Sequence, residues 1–396
     1  MKKCSFISII RKYNSEDDSY AYDVKYDIKP YGEFSELVTS LNKFEKIEIV
    51  DFKNLSHDVN LFISFFCMDS GDYFNTFVYN LLKPLVCKTI FLDFSTYDNQ
   101  EIGEEELNAI EKLTDKPIYF ITKNLLQNRN NHLYFEELCY HMMFEKSEIP
   151  RCYDSYSQIK KSQSYFWSKY KGFCYAGHTR FHKVEFLEFL YQNKYLDEMV
   201  WSCTSLDLDP PVIRDFIPLE YEEKFNSFEV IKLLPKVVDG DISTKEKYHH
   251  TGASINFATY LDSCFEIVPE TRFYEQSGKF GTAKTYNTWN NISEKIMKPS
   301  LLGHPFILLS KSNTISSLKD RGINYEYDFW KFEYDLIEDN DERMTAIQEF
   351  TKKVMKMSIK ELSEFNRDYY EHCKPNYKKF IDGIYKNPIN NIWNKL

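Results

Sequence analysis

Residues 291–310 read NISEKIMKPSLLGHPFILLS, and their order is that of a helix start, a Gly-x-Pro break and an uninterrupted apolar strand. Ser293 is placed to cap the helix ahead of Glu294, Lys295 and Ile296. The first-turn amides, the positive end of the helix dipole and the Lys295 ammonium then face one point. That point suits a phosphate group, and Glu294 is left to accept hydrogen bonds from hydroxyls. A Glu-Lys pair at a helix start is, by itself, more often a solvated face. The surrounding pattern decides between the two.

Upstream, GFCYAG (172–177) reads as a strand, HTRFHKVEFLEFLYQN as a loop entering a helix, and MVWSCTS as the next strand. INFATYLDSCFEIVPET gives a helix then a strand, and TISSLKDRG a helix ended by Gly322. Residues 206–250, punctuated by Pro and Asp, read as an irregular insertion. From 341 to 385 the pattern is almost wholly helical. In the first 150 residues the apolar runs CSFISII, KIEIVDF, NLFISFF, TIFLDFS and PIYFITK alternate with helical stretches such as EFSELVTSLNKF, YFNTFVYNLLKPLV and GEEELNAIEKL. Strands apolar throughout and separated by helices imply a parallel sheet covered on both faces. The expectation is an α/β chain of two Rossmann-like lobes: 1–155, then 170–340, with helices of 341–396 packing back across both.

The chain has 396 residues and a net charge of −10, enough length for two cores. Its Lys and Arg are scattered, which disfavours a dedicated duplex nucleic-acid surface. Nine dispersed cysteines with no C-x-x-C pair fit a reducing compartment. MKKCSFISIIRKY reads as a first strand rather than a signal peptide, and no apolar run is long enough to span a bilayer. A soluble, cytoplasmic protein is expected. G-x-G-x-x-G and G-x-x-x-x-G-K-[ST] are both missing.

Two further signals sit where strands hand over to loops, the edge at which open α/β sheets bind ligands. In GHTRFHKVEFLEFL, Arg180, His182 and Lys183 could present cations to a diphosphate, Arg180 with a planar fork that grips oxygens in pairs. In FEIVPET, Glu270 follows another strand. An Arg, a Glu and a Ser-Glu-Lys helix start would converge on one crevice.

GHTRFHK, VPET, ISEKIMKPSLLGHPFILLS and LKDRGINYEYDFWKFEYDLIEDNDERMTAI together resemble a family of phage and giant-virus proteins classed as glycosyltransferase-like, over roughly residues 171–347. The Ser-Glu-Lys portion is also similar to the donor site of bacterial and animal fucosyltransferases. The resemblance implies a GT-B architecture with a nucleotide sugar held by the second lobe, as substrate rather than cofactor, and no metal. It implies that Arg180 and Lys295 contact the diphosphate, that Ser293 and Glu294 serve the donor with Glu294 on ribose or sugar hydroxyls, and that Glu270 borders the pocket. Lys298 and Arg343 match family positions as well. Gly177 stands where the family often has Asn, Lys183 replaces an Arg, and Ile323 replaces a Phe. If the chain is viral, the cytoplasm is the host's.

The resemblance leaves the acceptor open among a glycan, a modified nucleobase and a protein. The base that would deprotonate it is open among Asp93, Glu105, His132 and others. Asp207-Leu208-Asp209 and Asp239-Gly240-Asp241 read as turns, His249-His250 lacks a second ligand pair, and the aromatics of SYFWSKY read as packing. The alternative to an enzyme is a non-catalytic virion or host-interaction protein that retains the fold.

Overall fold

The computed structural model describes residues 2–14, 19–26, 47–66, 80–93, 104–122, 130–134, 156–158, 168–177, 180–203, 221–234, 236, 257–270, 273–274 and 293–396. The protein is mixed α/β, and its contacts divide it into two units. The first comprises Met1–His141, Phe280–Asn291 and Asp382–Leu396; the second comprises Met142–Lys279 and Ile292–Ile381.

The first unit holds a seven-stranded sheet: β1 (Lys2–Asn14), β2 (Ser19–Tyr26), β3 (Ile47–Ile49), β4 (Val59–Phe66), β5 (Thr89–Asp93), β6 (Ile118–Thr122) and β7 (His132–Tyr134). Its order is β2-β1-β4-β5-β6-β7, with β3 also on β1. All five expected strands are present. Register places Phe6 beside Phe62, Phe62 beside Phe91 and Phe91 beside Tyr119. Their rings stack across the strands at centroid distances of 4.9, 4.5 and 5.4 Å, the cross-strand pairing that stabilises sheets. The opposite face buries Ile7, Leu61, Ile63, Ile90 and Leu92 against Leu107 and Ile110 of helix α1 (Glu104–Glu111). Two buried faces are why these strands read as continuous apolar runs.

One edge departs from the all-parallel expectation, because β2 pairs antiparallel with β1. Its sequence, SYAYDVKY, alternates Tyr or Val with small or charged residues, the period of a strand with one face exposed. The terminal helix Asn387–Lys395 also belongs to this unit. Lys2 Nζ donates to Trp393 O at 2.5 Å and Lys88 Nζ to Leu396 O at 2.6 Å. The expected helix EFSELVTSLNKF and the first half of YFNTFVYNLLKPLV lie outside the described residues.

The second unit is built on four parallel strands, β8 (Tyr170–Tyr175), β9 (Met199–Ser202), β10 (Ser263–Pro269) and β11 (Phe306–Leu309), in the order β11-β10-β8-β9. Helix α2 (Phe181–Gln192) carries the chain from β8 to β9. Helix α3 (Phe257–Asp262) precedes β10, and α4 (Glu294–Leu302) leads from β10 to β11. After β11 come α5 (Thr314–Lys319), α6 (Asn340–Met355) and α7 (Ile359–Cys373). All seven residues of β10 are buried. At Gly172 a Cβ would lie 2.8–3.0 Å from the Phe265 ring on the neighbouring strand, so only glycine fits there.

The order of these four strands fixes where a ligand binds. From β8 the chain moves to one side, β9, and then returns past β8 to build β10 and β11 on the other. The reversal lies between β8 and β10. In open parallel sheets the crevice at the carboxyl ends of such a pair is the binding position.

Candidate anion-binding site

The loops that leave β8 and β10 flank that crevice, and α4 begins there. Ser293 caps α4 as expected, with extended backbone (φ −91, ψ 172), its Oγ accepting from the Lys295 amide at 3.1 Å. The same hydroxyl donates to the Glu270 carboxylate, 2.7 and 2.6 Å from its two oxygens. One buried serine thus ties the end of β10 to the start of α4. Glu270 is itself buried, and its amide donates to Leu309 O at 2.9 Å, which extends the β10–β11 ladder by one residue.

On the β8 side, Gly177 has φ +58 with open space where a Cβ would stand. This is the left-handed region that Gly and Asn both occupy, so glycine in place of asparagine keeps the turn. Arg180 follows as the cap residue of α2, with extended backbone and a half-buried side chain. His182 is buried. Its Nε2–H donates to Glu270 O at 2.8 Å, and its ring stacks on Phe273 at 5.5 Å. Burial first, then the Lys183 charge, holds His182 well below the usual histidine range, so its imidazole is neutral.

Lys183 lies deeper, 3% exposed, its Nζ donating to Ala176 O at 2.7 Å. Burial pushes its ammonium down to about 7; the charges of Lys295 and Arg180 push the same way, and Glu270 opposes them. Those influences place Arg180, Lys183, Glu270 and Lys295 within electrostatic reach of one another. Cations from the starts of two helices therefore gather around one carboxylate.

Lys298, one turn along α4 from Lys295, is half-buried and acts on Glu266. Glu266 lies in mid-strand on β10, buried, accepting from Tyr260 Oη at 2.7 Å. Burial pushes its carboxyl up to about 8, against the Tyr260 hydrogen bond and the Lys298 charge. The structure also places a second acid inside α2: Glu185 is buried and accepts from Lys224 Nζ at 2.5 Å and from Tyr274 Oη.

Arg343, on α6, has a different setting. Its five N–H groups meet five protein acceptors: Ser310 O, Ile337 O, Glu338 O, Phe273 O and Asn340 Oδ1, at 2.6–3.2 Å. Its guanidinium also lies 4.6 Å over the Phe273 ring. It clamps the segments that follow β10 and β11, and through Phe273 it backs His182.

Of the expected site residues, Arg180, Glu270, Ser293 and Lys295 come together; Lys298 stands lower on the same helix, and Arg343 stands behind as the clamp. The Glu294 side chain lies outside the described residues, as do those of Asp93 and Glu105, and so do Asp207 to Asp209, Asp239 to Asp241, His249-His250 and most of SYFWSKY. His132 is half-buried, edge-on to Phe120 at 5.4 Å. Sequence reasoning did not single out Lys183, Glu185 or Glu266 as buried charges. The signal was available for the first two, because apolar residues surround most of this helix and its early charges fall among them, while Glu188 reaches partly to solvent.

Among the described residues no group of three or more His, Cys, Asp or Glu side chains is placed to hold a metal ion, and no helix is long and apolar enough to cross a membrane. No family model and no curated protein matches the chain. Among solved structures, the trehalose-6-phosphate phosphatase N-terminal domain of Candida albicans superposes with a TM-score of 0.40 at 10% identity, over 89% of this chain and 71% of that one. So loose a superposition carries no argument about chemistry.

Proposed function

We propose that the chain is a glycosyltransferase that takes its sugar from a nucleotide-sugar donor, with the diphosphate held at the carboxyl edge of the β8–β10 sheet. The observation that supports this reading is the gathering of Arg180, Lys183 and Lys295 around the carboxylate of Glu270. Like charges brought together beside a helix start repel one another unless an anion joins them. A diphosphate suits both the charge and the position.

In this reading the two units are the lobes of a GT-B enzyme and the second binds the donor. As the bond from the anomeric carbon to the diphosphate oxygen breaks, negative charge grows on that oxygen, and Arg180 and Lys295 stabilise it. Ser293 and Glu270 fix the first turn of α4, so that this charge meets amides already in place. The acceptor hydroxyl loses its proton to a base from the first unit, with Asp93, Glu105 and His132 as candidates; the acceptor is a glycan, a modified nucleobase or a protein.

UDP, GDP, ADP, CDP and dTDP, tested in turn, are expected to include at least one that raises the melting temperature, as a ligand selective for the folded state must. Arg180→Ala and Lys295→Ala should remove that rise and leave the unliganded protein folded. If none of the five produces a shift, the donor site is lost, and a non-catalytic binding protein becomes the better reading.

A further inference from the structure

Glu270 is joined to three elements of the second unit by three different groups. Its amide donates to Leu309 O at the end of β11 at 2.9 Å. Its carboxylate accepts from Ser293 Oγ at the start of α4, at 2.7 and 2.6 Å. Its carbonyl accepts from His182 Nε2, in the first turn of α2, at 2.8 Å. A carbonyl can only accept, so the one proton of the neutral imidazole sits on Nε2. The ring is held in turn by Phe273, with centroids 5.5 Å apart and planes 16° from parallel. Arg343 fixes Phe273, donating to its carbonyl at 3.2 Å and lying 4.6 Å over its ring. Along α2 the Arg180 carbonyl accepts from the Lys183 and Val184 amides at 3.0 and 3.1 Å, so the cap residue and the imidazole two positions on share one hydrogen-bonded turn. At α4 the Lys295 amide donates to Ser293 Oγ at 3.1 Å. The starts of two helices are thereby tied through one residue.

We propose that His182 is a positioning residue: by donating to the Glu270 carbonyl it sets the start of α2, which carries Arg180, against the start of α4, which carries Lys295. This rests on the anion site argued above and adds how its two halves are kept in register. His182 acts through Glu270. A ligand gripped from two helix starts is held tightly only when both stand in place before it arrives. Removing the Nε2 donor frees the α2 half and leaves the contacts of Ser293 with Glu270 and Lys295 as they are.

Two measurements on the full chain test this. In protein labelled with nitrogen-15 histidine, the His182 imidazole resonances at pH 8, identified by their loss in His182→Gln, should show a protonated Nε2 and a bare Nδ1 without nucleotide. A proton on Nδ1 overturns the proposal whatever any nucleotide does. Calorimetry with UDP, GDP, ADP, CDP and dTDP, run below the unfolding temperature of every variant, then compares affinities. His182→Gln keeps an amide donor near the Nε2 position and should bind close to the wild type. His182→Phe keeps a ring for Phe273 but cannot donate, and its affinity should fall by about tenfold or more. His182→Leu, a smaller replacement without a donor, gives the same comparison if the larger ring is not accommodated. A merely structural histidine would lower the unfolding midpoint of the donor-free variants and leave their affinity alone. That result, or equal weakening in His182→Gln and the donor-free variants, overturns the role of His182 and leaves the anion site standing. Failure of all five nucleotides to bind the wild type overturns both.

Discussion

Arg343 and Lys183 are cations in the same unit, buried almost equally at 2% and 3% exposure, and they are treated in opposite ways. Arg343 has an acceptor for each of its five donors, so its charge holds segments together. Lys183 donates to one carbonyl and faces Arg180 and Lys295 as well as the Glu270 carboxylate. Enclosing an ion costs several kcal/mol unless its surroundings replace water. Around Arg343 the replacement is complete and the result is structure. Around Lys183 it is partial among the described residues, one carbonyl and the Glu270 carboxylate standing against two cations.

The largest expected effect breaks the comparison directly. Arg343→Ala orphans buried carbonyls and should lower the unfolding free energy by roughly 3–5 kcal/mol in urea denaturation. Lys183→Met, a near-isosteric apolar replacement, should be at least as stable as the wild type at pH 6. Equal losses from the two substitutions would mean that both cations are structural.

The pH dependence sharpens the contrast. The folded-state pKa of Lys183 lies below its unfolded value, so between about 7 and 10 the unfolded chain binds more protons and this group makes stability rise with pH. The wild type should gain on Lys183→Met across that interval, by up to about 1.4 kcal/mol per pH unit. Glu266 has the reverse sign: its folded-state pKa is raised to about 8, so its contribution is complete below the usual carboxylate range and is lost as pH climbs through 8. Glu266→Gln should therefore flatten the loss between the ordinary carboxylate value of 4.5 and about 8, while Lys183→Met should flatten the gain above about 7. Urea midpoints at pH 5, 7 and 9 for both variants separate the two groups.

Much of this unit was legible in the sequence, for reasons that can be stated residue by residue. GFCYAG, MVWSCTS, FEIVP and HPFILLS are strands because both of their faces are covered, and an apolar run without alternation says so. Ser293 was legible as a cap because capping is local. The antiparallel β2 was missed, although SYAYDVKY carries a period of two, because continuous apolar runs dominated the reading of the first unit. The link from Ser293 to Glu270 joins residues 23 apart, and no local pattern encodes it. The clamp of Arg343 on Phe273 spans 70 residues for the same reason. Sequence places charged residues at an edge. Only the folded chain shows which of them are already satisfied.

Ser293 gives the smallest expected effect on stability and the most selective one on the site. Ser293→Ala removes one cap acceptor and a donor to Glu270, a loss of about 1–2 kcal/mol. The fold should survive that loss, since α4 keeps its buried Ile296, Met297, Leu301 and Leu302. What the variant loses is alignment, because Glu270 is no longer tied to the first turn of α4 and Lys295 no longer has its amide fixed. The nucleoside-diphosphate melting shift should then shrink well beyond what the lower stability accounts for, and Ser293→Thr, which keeps the hydroxyl, should restore most of it. A variant that loses stability but keeps the full shift would show that Ser293 merely caps a helix, and the carboxyl edge of β10 would have to bind its anion without it.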